Sequence, residues 1–201
     1  MKVGVMASGK GSNFQAIIES INRGEAPDVE IAQLVVNKSN AYAIKIAEKY
    51  KIKCSYIDSS KISREDFDKK AIEIMEGAKV EIIVLAGFMR ILSPLFIKKY
   101  TNKILNIHPS LLPSFPGASA HKDALRYGAK ISGCTVHLVD ENVDSGPIIM
   151  QASVEIVENE TEESLSEKIL FHEHKLLPKA LQLMCSNKVS LQGRQVTINS
   201  D

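Results

Sequence analysis

The sequence predicts an α/β fold. Short apolar, β-branched runs alternate with helical patterns along most of the 201 residues, which is how strands and crossover helices read when a sheet is largely parallel. The strongest run, VEIIVLAG at 80–87, is continuous rather than alternating, as expected when both faces of a strand are covered. The first strand-to-helix junction is a glycine-containing loop, the place where such sheets bind ligands. Together these give a Rossmann-like three-layer sandwich with a mostly parallel twisted sheet and right-handed crossovers.

KVGVMA (2–7) is a short apolar run ending in small residues. In SNFQAIIESINRG, Phe14, Ile17, Ile18 and Ile21 fall at helical spacing, with Gly24 as a stop. EIAQLVVNK (30–38) reads as a second buried strand, AYAIKIAEKY (41–50) as a helix and KCSYID (53–58) as a short strand. SREDFDKKAIEIMEGA opens on Ser63, a helix N-cap, and sets Phe67, Ala71, Ile74 and Met75 on one face. After the strong strand come three more, ILNIHP (104–109), ISGCTVHLV (131–139) and IIMQASVEIV (148–157). A long helix runs from about Thr161 towards residue 184, with a kink expected at Pro178. VSLQGRQVTI reads as a small hairpin around Gly193.

The chain is expected to form a single domain, with one half over about 1–100, a second over about 101–187, and a short C-terminal hairpin or tail over about 188–201. Hydrophobic residues make up 44% and charged residues 24%, an ordinary globular balance, and the net charge is +1. No basic field argues for nucleic acid, and no apolar run is long enough to span a membrane. Three separated cysteines, Cys54, Cys134 and Cys185, suit a reducing, cytoplasmic setting and exclude a disulfide framework.

The opening loop GVMASGKGSN (4–13) fits no standard nucleotide pattern. Gly11 stands where a P-loop would place Ser or Thr for magnesium, and Phe14 where a dinucleotide fingerprint would place its third glycine. A single terminal phosphate needs neither. Gly9 and Gly11 let the backbone approach an anion, Ser12 and Asn13 offer side-chain donors, and the following helix offers free N–H groups.

In an extended ILNIH, Asn106 and His108 point to one side, and Pro109 ends the strand. The Asn amide can stabilise an oxyanion, and the imidazole can donate to the same oxygen or move a proton near neutral pH. DENVDSGPI (140–148) holds three acids in five residues. A carboxylate there aimed at His108 would raise its pKa, and Asp144, beside the Ser145–Gly146–Pro147 turn, is the best placed. On the last helix Leu165, Ile169, Leu170, Leu176 and Leu177 share an arc. Glu173 falls inside it, where a carboxylate needs partners. His172 and His174 diverge on that helix and form no metal clamp. His121 and His137 read as structural.

ASGKGSNFQAI, LAGFMRIL, NIHPSLLPSFPG and VDSGPIIMQ, in this order and over nearly the whole chain, resemble the phosphoribosylglycinamide formyltransferases, folate-dependent enzymes of purine synthesis. Ser145 departs from that pattern, where a smaller residue is usual. The resemblance implies formyl transfer from 10-formyltetrahydrofolate to the amine of glycinamide ribonucleotide through an oxyanion, with no metal, and makes about 1–100 the phosphate-binding half and about 101–187 the folate-binding and catalytic half. It implies Asn106, His108 and Asp144 as the catalytic trio, leaving open whether Asp144 acts as a base or orients His108 and a water. Glycinamide ribonucleotide is implied to meet Gly11, Ser12, Asn13, Gly87, Met89, Pro109 and, through its ribose hydroxyls or glycinamide, Glu173. The folate is implied to lie against Leu85, Met89, Arg90, Ile91, Leu92 and Ile97, to reach Asn106, Asp140, Glu141, Val143 and Asp144, and to meet Arg64 with its glutamate tail. A cis peptide is expected before Pro113.

A formyltetrahydrofolate hydrolase or a methionyl-tRNA formyltransferase is the nearest rival. Each would bring an extra domain, for which the chain is expected to have no room, and the second a basic RNA surface. A nicotinamide-dependent oxidoreductase would want a glycine at 14 and an acid after the second strand, where Asn37 and Lys38 stand. A phosphate-sensing module would leave the trio without a shared task. The expected partners are therefore the two small-molecule substrates, with no nucleic acid or membrane, in a monomer or weak homodimer.

Overall fold

The computed structural model describes residues 1–199. Nine strands and six helices follow in the order β1 (Lys2–Ala7), α1 (Ser12–Asn22), β2 (Glu30–Val36), α2 (Ala43–Lys49), β3 (Cys54–Tyr56), α3 (Arg64–Gly77), β4 (Ile82–Leu85), α4 (Pro94–Lys99), β5 (Ile104–His108), α5 (Ala120–Tyr127), β6 (Ile131–Leu138), β7 (Ile148–Glu155), α6 (Glu162–Cys185), β8 (Val189–Gln192) and β9 (Gln195–Ile198), all among the described residues. Seven strands form one sheet in the order β3-β2-β1-β4-β5-β6-β7. The first five pair in parallel, and β6 and β7 add antiparallel, so the expected α/β, mostly parallel sandwich is what forms.

The two faces follow from the period of two along each strand. Val3, Val5, Val84 and Leu105 pack with α1 and α6 on one side; Met6, Ile83, Leu85 and Ile104 pack with α3 and α4 on the other. Burial on both sides is why these strands are continuously apolar.

Ser63 caps α3 by accepting from the Asp66 N–H at 3.0 Å, a contact typically worth ~1 kcal/mol. Thr161 and Ser164 form a reciprocal capping box at the start of α6. The arc on α6 is buried at Leu165, Ile169, Leu176 and Leu177, with Leu170 half-buried at its edge. Pro178 lies inside α6 without ending it. The hairpin of β8 and β9 forms around Gly193, and its Val189, Leu191 and Val196 rest on the main core.

Some strands are shorter than their apolar runs suggest: β2 stops at Val36, β3 covers only three residues and β4 stops at Leu85. Two helices have no counterpart in the sequence reading. α4 is a short turn-and-a-half begun by Ser93 and Pro94, and α5 buries only Ala120 and Ala124, too little apolar surface to show a periodic stripe. No helix among the described residues is long and apolar enough to cross a membrane.

Candidate active site

The site grows from the antiparallel junction of β5 and β6. Leu105 and Ile107, like Cys134, Val136 and Leu138, point into the α1/α6 core. The alternate residues, Asn106 and His108 on β5 and Thr135 and His137 on β6, must therefore share the opposite face, and register pairs Asn106 with His137 and His108 with Thr135. The core beneath α3 and α4 ends at Ile104 on this side, and polar side chains take over the face.

The 140–146 loop delivers Asp144 onto that surface. Ser145 Oγ and the Asn142 N–H both bond to Asp140 Oδ1, at 2.6 and 3.0 Å. Gly146 passes so close to strand β6 that a Cβ there would sit 1.8 Å from the Leu138 carbonyl oxygen, so no other residue fits. Arg194, on the C-terminal hairpin, donates to the Ser145 carbonyl at 2.5 Å.

Asp144 Oδ2 accepts from the Gly117 N–H at 2.8 Å and stands 3.3 Å from His108 Nδ1; its Oδ1 receives Asn106 Nδ2 at 3.4 Å and lies 3.7 Å from His137 Nε2. The three expected catalytic residues thus converge. His137, expected to be structural, joins them: its Nδ1 donates to the Leu138 carbonyl at 2.8 Å, which leaves Nε2 to accept from Asn106 Nδ2 at 3.1 Å. Only strand register could reveal this. His108 Nε2 lies 2.8 Å from the Phe115 carbonyl, an acceptor, so that nitrogen carries a proton. Phe115 and Asp144 hold φ of 52° and 51°, left-handed values that non-glycine residues adopt at a cost and that cluster at functional sites.

The electrostatics differ from the expectation at one point. Burial holds the His108 pKa below the ordinary histidine value, against the Phe115 carbonyl and Asp144, which raise it. The carboxylate alone does not win, because its attraction is set against removal of the imidazolium from water. Burial also opposes ionisation of Asp144, but His137, the Gly117 N–H and His108 beside it together overcome it and keep the carboxyl below its ordinary range.

The opening loop leaves β1, which is parallel to β5 and separated from it by β4 alone. Gly11 takes φ of 72° at the start of α1, and a Cβ on it would meet Ala43 Cβ at 2.8 Å. No side chain caps α1 and no acid occupies its first turn, which leaves its first N–H groups uncapped, as an anion site requires. Ser8 ties this loop to the next: its N–H donates to the Gly87 carbonyl at 3.1 Å and its Oγ accepts from the Met89 N–H at 2.8 Å. Asn13 does not match its expected role in full, since its side-chain Nδ2 donates to Glu173 Oε2 at 2.7 Å rather than standing free for a phosphate. That bond answers the question of the carboxylate within an apolar arc.

Met89, Ile91 and Val143 are more than half exposed, while Leu85 and Leu92 are buried and Ile97 is half-buried. The Arg90 guanidinium lies over the Phe67 ring at 4.9 Å and donates to the Ser59 carbonyl at 3.0 Å, so its side chain is engaged within the protein. Arg64 is exposed at the first turn of α3, and Glu141 is exposed too; Pro109 is half-buried at the end of β5. The Leu112–Pro113 peptide is cis, as expected. Among the described residues, no group of three or more His, Cys, Asp or Glu side chains could hold a metal. Clefts of about 390 and 460 Å³ lie elsewhere, beside Asp58 and Lys61 and beside Phe171 and His172. The cluster itself is largely buried, with His108 and His137 4% and 1% exposed.

The formyl transferase family model matches residues 1–181. The chain is 48% identical over 197 residues to the trifunctional purine biosynthetic protein adenosine-3 of Chironomus tentans, covering 96% of this chain and 14% of that protein. The first such relatives are much longer, and the chain spans between 14 and 20% of their length. It is 42% identical over 182 residues to the phosphoribosylglycinamide formyltransferase of Bacillus subtilis, covering 90% of this chain and 93% of that one. The crystal structure of glycinamide ribonucleotide transformylase 1 from Symbiobacterium toebii superposes with a TM-score of 0.97 at 38% identity, covering 100% of this chain and 94% of that chain. The chain belongs to the formyl transferase family, among the phosphoribosylglycinamide formyltransferases.

Proposed function

We propose that the protein transfers the formyl group of 10-formyltetrahydrofolate to the amine of glycinamide ribonucleotide, a step of purine synthesis. The observation that carries this is the convergence of Asn106, His108 and Asp144 from two strand ends onto one face of the sheet. The glycine loop at the first strand exit supplies a seat for the ribonucleotide phosphate, with Gly11, Ser12 and Asn13 presenting backbone N–H groups and Glu173 taking the sugar or glycinamide. Gly87, Met89 and Pro109 line the path between. The folate lies against Leu85 and Met89 to Leu92, with Ile97 beneath, hydrogen-bonds along 140–144, and extends its glutamate tail towards Arg64. Exposed apolar side chains at Met89, Ile91 and Val143 support this, because such a wall is stable in water chiefly when something flat covers it.

The neutral amine attacks the formyl carbon. A C–N bond forms, and the carbonyl π pair moves onto oxygen. Asn106 Nδ2 and His108 stabilise that oxyanion. The 3.4 Å contact from Asn106 to Asp144 is the longest hydrogen bond of the cluster and is the one the oxyanion displaces. His108 Nε2 reaches the same oxygen when the Phe115 carbonyl releases it. Negative charge appearing beside the ring then lifts the pKa that burial holds down, so the imidazolium forms where it is needed, with Asp144 as its counter-charge. The amine loses a proton, the leaving nitrogen gains one, and its bond to the formyl carbon breaks. Asp144 is the ionised base at hand, directly or through a water. No nucleophilic Ser or Cys is required.

The test is to mix the protein with 10-formyltetrahydrofolate, with and without glycinamide ribonucleotide, and follow loss of the formyl group. Loss only with the ribonucleotide is expected. Loss without it would make the protein a hydrolase, and no loss in either case would refute both.

A further inference from the structure

The geometry points to Asn13 as a positioning residue whose side chain serves Glu173 rather than the phosphate. Asn13 sits in the first turn of α1 and Glu173 in the middle of α6; they are 8% and 7% exposed and joined by the 2.7 Å bond from Nδ2 to Oε2. Along α6 the carboxylate is surrounded by Ile169, Leu176 and Leu177. Among the described residues Asn13 is its one hydrogen-bonding partner, and Glu173 Oε1 has none. The amide cannot turn over, because that would set its oxygen against a carboxylate oxygen. The donor is therefore locked onto Oε2, and Oε1 is left for a ligand.

The bond also sets the charge. Burial pushes the Glu173 carboxyl up towards neutrality, and the Asn13 N–H works against that. The other titratable group that responds to Glu173 is the Cys134 thiol on β6, itself pushed up to about 12 by burial first and the carboxylate second, so it stays neutral. Among the described residues no cation and no second carboxylate contributes to the titration of Glu173. Asn13 thus presents a backbone N–H to the phosphate seat and a side-chain N–H to the sugar-binding carboxylate, joining the two grips in one residue. This rests on the proposed role of Glu173 in holding glycinamide ribonucleotide.

The experiment measures kcat and both KM values from roughly pH 5.5 to 9 for the full chain, for Asn13→Ala, for the equal-sized Asn13→Asp and for each combined with Glu173→Gln. Losing a hydrogen bond to a charged group typically weakens binding about tenfold or more. The KM for glycinamide ribonucleotide is expected to rise by that factor, with the KM for the formyl folate within about twofold. Below some pH the KM climbs as Glu173 gains a proton. Removing the Asn13 donor raises the pKa further, so that midpoint moves to higher pH in both variants. With Glu173→Gln the KM is raised and flat with pH, and changing Asn13 as well adds nothing. An unmoved midpoint, or an equal effect of Asn13→Asp with and without Glu173→Gln, overturns the inference; if the alanine variant does not fold, the aspartate variant decides. A wild-type protein that formylates no ribonucleotide would instead sink the proposed function.

Discussion

Replacing Asp144 with Asn tests the centre of the mechanism. The two side chains are nearly the same size, so the loop is kept, and the Asn carbonyl still accepts from the Gly117 N–H now bonded to Oδ2 at 2.8 Å. The new NH2 then faces Asn106 Nδ2, another donor, across the present 3.4 Å contact. The larger loss is electrostatic. Opposite unit charges at the 3.3 Å separation of His108 and Asp144 attract by about 5 kcal/mol at an effective dielectric of ~20. Part of this is returned, because the imidazolium is only partly formed in the transition state. A rise of about 3–4 kcal/mol in the barrier remains, the size lost with one oxyanion donor, or roughly 10²–10³ in kcat. Both KM values should stay within a few-fold of wild type. Steady-state formyl transfer under saturating substrates reads this directly, and a kcat within about threefold of wild type would remove Asp144 from the chemistry.

His137→Leu removes the shorter of the two acceptors of Asn106 Nδ2, the one at 3.1 Å; kcat should fall about tenfold with little change in either KM, whereas an unchanged kcat would return His137 to a purely structural role. Gly11→Ala forces a left-handed residue, costing about 1–2 kcal/mol, and drives its Cβ onto Ala43. Calorimetry should show Tm lower by roughly 3–8 °C, and kinetics a raised KM for the ribonucleotide alone. His174 is held below the ordinary histidine pKa by burial, against an opposing pull from Glu19, and its buried Nε2 has no hydrogen-bond partner among the described residues. A lowered pKa means the unfolded chain takes up the proton first, so stability is full above 6.5, the ordinary value, and is lost as pH falls towards the folded value. His174→Gln should therefore lose less Tm between neutral and mildly acidic pH than wild type; equal losses would contradict this.

The sequence by itself determined the layered architecture, because strands covered on both faces must be continuously apolar and their crossover helices must carry a 3.6-residue stripe. It also pointed to Asn106 and His108, which share a strand and differ by two residues, to the glycine loop at Gly11, and to Glu173 as a polar residue inside an apolar arc. Tertiary structure alone decided the rest. His137 joins the site through the register of β5 against β6, a long-range pairing with no local signature. Asn13 finds Glu173 across 160 residues of chain. Helix α5 buries only two alanines and so leaves no periodic trace. The sign of the His108 shift depends on how much water the fold removes weighed against how close Asp144 comes, and spacing along the chain encodes neither quantity.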